Sequence, residues 1–161
     1  MRIISIDPGY ERLGIAIIEK EKGSKETYLY SECFHTPKSI SHGERLAQVA
    51  EKIKEMIARW SPKCLSIETL FLATNHKTAM MVSEARGVIL AECARNGLKV
   101  FEYSPPQIKL AVCGNGNADK KSIIKMVPIL IKVPNTLKID DEFDAIAIGL
   151  TYFAIEKTAS V

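Results

Sequence analysis

Three apolar runs crowd into the first 34 residues, at 2–6, 14–20 and 27–34, with only Pro8-Gly9 and Gly23-Ser24 as turn signals between them. Short strands that follow one another this closely predict an antiparallel meander. From His42 the period changes. Leu46, Val49, Ala50, Ile53, Ile57 and Trp60 recur at helical spacing, Ser41 and Glu44 form a capping box, and Ser61-Pro62 closes the helix. CLSIETLF (64–71) then reads as a strand, a second long helix runs from His76 to Arg95 and stops at Asn96-Gly97, and LKVFEY (98–103) reads as a fifth strand. Ser104-Pro105-Pro106 opens a short helix carrying Lys109, GNGNA (114–118) is a loop, and helices are expected over 119–131 and 141–155. There is no linker, repeat or low-complexity segment. The order predicts one α/β domain over 1–161, a five-stranded mixed sheet flanked by helices.

A chain of 161 residues with 47% hydrophobic and 25% charged side chains has enough apolar material for a sizeable core. No apolar stretch reaches the roughly 18 residues of a spanning helix. The start MRIISIDPG lacks a cleavable signal pattern, so a cytoplasmic location is expected. Cys33, Cys64, Cys93 and Cys113 show no CxxC pair and no zinc-type spacing, and are expected as small, mostly buried thiols. The net charge of +3 hides a segregation: seven lysines lie between Lys99 and Lys138 against Glu102 and Asp119, and IDDEFDA then places four acids in five positions. A basic flank beside an acidic focus suits a site that attracts a polyanion and holds cations against it. A solvated lysine-rich face followed by an acidic helix start would look the same.

Two carboxylates share a peculiar setting. Asp7 follows IISI directly and Glu68 follows LSI. On parallel neighbouring strands, both would emerge at the sheet edge where ligands of open α/β sheets bind. Asp141 and Asp144 lie i, i+3 apart at a helix start and face the same way. Four converging carboxylates repel one another when desolvated, which points to a divalent cation, and hard oxygen donors favour Mg²⁺ or Mn²⁺. Two ions about 3.5–4 Å apart would serve a phosphodiester displacement. Each piece also has a plainer explanation: Asp7-Pro8-Gly9 fits a type II turn, Glu68 a solvated strand end, Asp140, Asp141 and Glu142 a favourable helix N-terminus, and Phe71 a core aromatic.

Taken together, IDPGYERLGIAII, SIETLF, EARG, FEYSPPQIKLAVCGNGNADK and DEFDAIAIGL resemble the RuvC family of Holliday-junction resolvases, of ribonuclease-H-like fold, from Arg2 to about Tyr152. The resemblance implies catalytic, Mg²⁺-holding carboxylates at Asp7, Glu68, Asp141 and Asp144, with two ions per site. It implies a base-stacking aromatic at Phe71 and basic DNA contacts at Lys109 and Lys120. Lys121 adjoins Lys120 and Asp140 adjoins Asp141; Asp141 is preferred for its helix-face relation to Asp144. Where the family often has Thr-Gly-Tyr/Trp-Gly, this chain has Leu13-Gly14-Ile15-Ala16, a difference assigned to strand packing.

The implied activity is an endonuclease that nicks two opposed strands of a four-way junction, leaving 5′-phosphate and 3′-hydroxyl ends. A two-fold substrate implies a homodimer, for which Ala79, Met80, Met81, Ala85, Gly87 and Val88 on the second helix are candidates; the same stripe would also serve as core. RuvA and RuvB are the branch-migration partners that the family implies. Two alternatives stand beside this reading: an RNA-processing nuclease of the same superfamily, and an actin-like phosphotransferase, which DPGYERLG also fits but for which the chain is short. A non-catalytic junction binder is disfavoured by the four intact carboxylates.

Overall fold

The computed structural model describes residues 1–70 and 76–156. β1 (Arg2–Asp7), β2 (Arg12–Glu19) and β3 (Thr27–His35) form the expected meander; α1 (His42–Trp60), β4 (Cys64–Glu68), α2 (His76–Arg95) and β5 (Lys99–Tyr103) follow. α3 (Pro105–Cys113), α4 (Lys120–Leu130) and α5 (Asp140–Ile155) complete the chain. The sheet order is β3-β2-β1-β4-β5. The β1/β2 and β2/β3 pairs are antiparallel, whereas β1/β4 and β4/β5 are parallel. Each parallel pair is joined through a helix, as a right-handed crossover requires.

Alternation along the central strands sorts the core into two layers. Ile4 and Ile6 of β1, Leu13, Ile15 and Ile17 of β2 and Leu65 and Ile67 of β4 face α1 and α2, meeting Val49, Ile53, Met56 and Ile89. The opposite parity, with Ile3, Ala16, Ile18 and Cys64, faces α5 and the α3/α4 pair. Both faces are covered, so β1 and β4 read as continuous apolar runs rather than as alternating ones.

Several local expectations are met by specific hydrogen bonds. Ser41 and Glu44 cap α1 reciprocally, and Ser61 ends it in the left-handed region at φ 48°. Gly97 ends α2 at φ 73°. Others need correction. The strand expected over 64–71 stops at Glu68, where the Thr69 amide turns to donate to the Tyr103 carbonyl at 2.9 Å. The buried stripe of α1 is Arg45, Val49, Ile53 and Met56, so a charged residue occupies a place that apolar periodicity assigns to Leu46.

Candidate active site

Side-chain parity aims the carboxylates. Ile3, Ser5 and Asp7 share one face of β1, and Cys64, Ser66 and Glu68 share the same face of β4. The strands are parallel with Ile6 opposite Ile67, so Asp7 and Glu68 come next in register and stand side by side at the strands' C-terminal edge. α5 lies across this face and brings the third and fourth acids. Its close approach depends on small residues beneath it. A Cβ on Gly14, which pairs with Asp7, would lie 2.2 Å from the Asp141 carbonyl oxygen. A Cβ on Gly149 would lie 2.7 Å from Ser5 Oγ and from Ile18 Cδ1. Farther along the same contact, Ser66 Oγ donates to the Ile148 carbonyl at 2.9 Å, which satisfies a buried hydroxyl and fixes the helix lengthwise.

The electrostatics of the cluster are those of crowded, poorly hydrated acids. Burial, followed by the charges of Asp144, Glu68 and Asp141, pushes the Asp7 carboxyl up to about 7. Glu68 is also pushed up to about 7, by burial and then by Asp144, with Lys109 and Lys120 opposing. Asp144 is raised chiefly by burial, and its hydrogen bond from Lys120 works the other way. Lys120 Nζ stands 2.8 Å from Asp144 Oδ2 and 3.8 Å from Asp140 Oδ2. Burial works against the Lys120 charge, but the hydrogen bond and the surrounding acids outweigh it and raise its pKa. On the other flank Arg12, at the start of β2 and on the same face as Gly14, pairs through Nη2 with Asp141 Oδ2.

With Asp141 held by Arg12 and Asp144 by Lys120, no group of three His, Cys, Asp or Glu among the described residues stands close enough to grip a metal ion. The donor set nevertheless fits a hard divalent cation. All four candidates are carboxylates, and the two raised by burial and by neighbouring acids are those a bound cation would relieve. Beside them a cavity of about 200 Å³ is lined by Glu68, Asp144, Lys109 and Lys120 over an apolar floor that includes Ile108, Ile123 and Ile148.

The loop after Asp7 is built differently from the expected type II turn. Gly9 does not adopt the positive φ that this turn requires. Its glycine is demanded by space instead: a Cβ there would lie 1.9 Å from the Arg12 carbonyl oxygen, because the loop doubles back on itself. Arg45, buried at 5% exposure, fastens that loop from α1. It donates to Tyr10 O at 3.2 Å and to Thr36 Oγ1 at 2.9 Å, and its guanidinium lies 4.0 Å from the Tyr10 ring centroid.

Asp7, Glu68, Asp141, Asp144, Lys109 and Lys120 are thus brought to one edge of the sheet. Lys121 is exposed and is not among the residues lining the cavity. Asp140 is the outer acid of its pair, with a side chain 53% exposed, whereas Asp141, like Glu68 and Asp144, acts directly on Asp7. Phe71 lies outside the described residues. On α2, Met80 is 65% exposed and Ala85 is buried, so the proposed interface stripe is divided between surface and core. Reading the sequence passed over Arg12 and Arg45. Strand parity puts Arg12 on the face of Gly14 but does not name its partner on α5, whereas Arg45 was recoverable from its i, i+4, i+8 relation to Val49 and Ile53.

The model of a protein family, crossover junction endodeoxyribonuclease RuvC, matches residues 3–152. Curated relatives of that name include one from Caldicellulosiruptor saccharolyticus, 37% identical over 152 residues that cover 94% of this chain and 92% of the relative. Another, from Natranaerobius thermophilus, is 38% identical over 152 residues, covering 94% of each chain. A solved structure described as T. thermophilus RuvC in complex with Holliday junction substrate superposes with a TM-score of 0.91 at 26% identity, covering 99% of this chain and 97% of that one. The match carries with it the ribonuclease-H-like fold. With sheet order, a carboxylate-lined edge and near full-length similarity in agreement, the chain belongs to the RuvC family of crossover junction endodeoxyribonucleases.

Proposed function

We propose that this endodeoxyribonuclease resolves four-way DNA junctions by paired symmetric nicks, with Asp7, Glu68, Asp141 and Asp144 as its catalytic carboxylates. The observation that carries the reading is the convergence of four acids from β1, β4 and α5 on one edge, where Asp7 and Glu68 are pushed up to about 7 by burial and then by neighbouring acids, Asp144 first. Likeness to the T. thermophilus protein described with a Holliday junction supports the substrate. The four acids would hold two Mg²⁺ ions, with Mn²⁺ able to substitute. When bound, such ions supply Lewis-acid stabilisation of charge on the phosphate and lower the pKa of the attacking water.

The chain's own residues do the rest. Lys109 and Lys120 line the cavity beside Glu68 and neutralise the phosphates of the bound strand; Lys121 adds a more distant charge. Ile108, Ile123 and Ile148 keep the floor of that cavity dry, which strengthens each charge interaction above it. The oxygen of water forms a bond to phosphorus, the bond to the 3′ oxygen breaks, and that oxygen takes up a proton. The products are a 5′-phosphate and a 3′-hydroxyl. Phe71, three residues after Glu68, stacks on a base near the junction centre. Residues 1–161 act as one nuclease domain, two copies of which give a homodimer matched to the two-fold substrate. The exposed Met80 on α2 is suited to that contact. The setting is the bacterial cytoplasm, with RuvA and RuvB as branch-migration partners; no helix among the described residues is long and apolar enough to cross a membrane.

The test is one cleavage assay with Mg²⁺ on a mobile four-way junction, beside duplex, fork and RNA substrates. Preferential, symmetric nicking of the junction is expected. Equal cutting of all four substrates, or preference for RNA, would refute the assignment.

A further inference from the structure

We propose that Arg12 is an exchangeable counter-ion of the carboxylate centre, holding Asp141 while divalent cations are absent and passing to a DNA backbone phosphate once they are in place. The inference rests on the reading above that the four acids take divalent cations.

Three features carry it. The first is position. β2 runs antiparallel to β1 with Gly14 opposite Asp7, so Arg12 stands at the same sheet edge as the carboxylates, on the flank away from Lys109 and Lys120. Across that edge the charges run Arg12, then Asp141 and Asp7, then Glu68 and Asp144, then Lys120 and Lys109. A row of acids closed by cations at both ends is suited to a polyanionic strand lying along it.

The second is the character of the pair. Arg12 Nη2 reaches Asp141 Oδ2, yet the Arg12 side chain is 50% exposed whereas that of Asp141 is 19% exposed. The guanidinium, which also meets the Cys33 thiol on the neighbouring β3, therefore approaches the centre from water, at its rim. Arg12 reaches Asp141 through Oδ2, so a cation that takes that oxygen competes with the arginine for it and displaces it.

The third is where the freed group can go. Arg12 also lines a cleft of about 560 Å³, with Gly9 and Tyr10 from its own loop and Thr78, Met81 and Val82 from α2. Glu11 lines that cleft too, but it is already paired with Lys38 at 2.9 Å and so is not left waiting for Arg12. Two divalent cations neutralise four carboxylates, so the centre no longer attracts the guanidinium, and the anion that its planar fork matches best is phosphate.

The experiment has two arms, each run on the full chain as wild type, Arg12→Ala and Lys54→Ala, the last breaking an exposed ion pair with Glu51 on α1. In the first, Mn²⁺ is titrated calorimetrically into DNA-free protein at pH 8. Arg12→Ala is expected to bind Mn²⁺ about twofold to fivefold more tightly, matching the modest strength of an exposed ion pair, while Lys54→Ala binds as wild type. In the second, the apparent junction affinity from single-turnover titrations is followed against salt. Loss of one phosphate contact lowers the slope of log affinity on log salt by about 0.9 in Arg12→Ala. Unchanged Mn²⁺ affinity in Arg12→Ala, or equal tightening in Lys54→Ala, overturns the counter-ion role. Tighter Mn²⁺ binding with an unchanged salt slope overturns the passage to phosphate. A wild-type chain that takes up no Mn²⁺ overturns the metal reading and this inference together.

Discussion

A carboxyl group pushed up to about 7 makes the folded protein pay for its ionisation, and Asp7 and Glu68 both stand in that position. The raised pKa means that the folded state holds the proton more tightly than the unfolded chain does. Their contribution to stability is therefore fully present below about pH 4 and is lost as the pH rises through about 7. Asp7→Asn removes the charge without changing shape. In the presence of a chelator it should stabilise the protein at pH 8 by on the order of 2 kcal/mol, and by much less at pH 4, as read by denaturant unfolding at the two pH values. Equal effects at both would show that Asp7 does not titrate as described. The same protons must leave before a metal ion can bind. Mn²⁺ affinity of the wild type should fall below pH 7, roughly tenfold per pH unit for each proton displaced, and calorimetry in buffers of different ionisation enthalpy would count those protons.

Between residues and the whole molecule stand the contacts that seat one element on another, and two of them aim the site. Gly14 lets the first turn of α5 rest on β2, since a Cβ there would lie 2.2 Å from a backbone oxygen that no rotamer change can move. Gly14→Ala should lower stability by about 1–3 kcal/mol and reduce junction cleavage beyond what the stability loss explains, because Asp141 moves with the helix. Arg45 ties α1 to the loop after Asp7. Arg45→Met should cost about 2–4 kcal/mol, leaving Tyr10 O and Thr36 Oγ1 without the cation that both meet, and urea midpoints would measure it. A midpoint within error of wild type would show that the loop is held by other contacts.

At this scale the sequence was legible where a residue type answers to a local rule. The capping box of Ser41 and Glu44 and the stop at Gly97 need only their neighbours. IISID and LSIE announce two acids at strand ends, because alternation alone fixes their face. Arg12 and Gly14 were opaque for the opposite reason: their partner, Asp141, is 129 residues from Arg12, and only the packing of α5 on β2 brings them together. Gly9 misled because Pro-Gly is the usual mark of a type II turn, and the steric demand of the Arg12 carbonyl that sets its real conformation leaves no trace in composition.

For the whole molecule, the segregated charge noted between Lys99 and Lys138 becomes a direction. Lys109 and Lys120 lie on one flank of the acids, and a net charge of +3 understates the field that a phosphate backbone meets there. Replacing both lysines by alanine should weaken junction binding at every sequence alike and lower the salt slope by about 1.8, measured by the fall of affinity between 50 and 200 mM salt. The fold itself makes no such demand, since neither lysine is part of the core.

The central claim is that Asp7, Glu68, Asp141 and Asp144 act as one centre on a four-way junction. The most direct measurement is the single-turnover rate of junction cleavage at saturating Mg²⁺ for the wild type and for Asp7→Asn, Glu68→Gln, Asp141→Asn and Asp144→Asn. All four variants should remain folded and lose roughly 100-fold or more in rate, since each removes charge from the same place. Cleavage at the wild-type rate by any one of them would contradict the account.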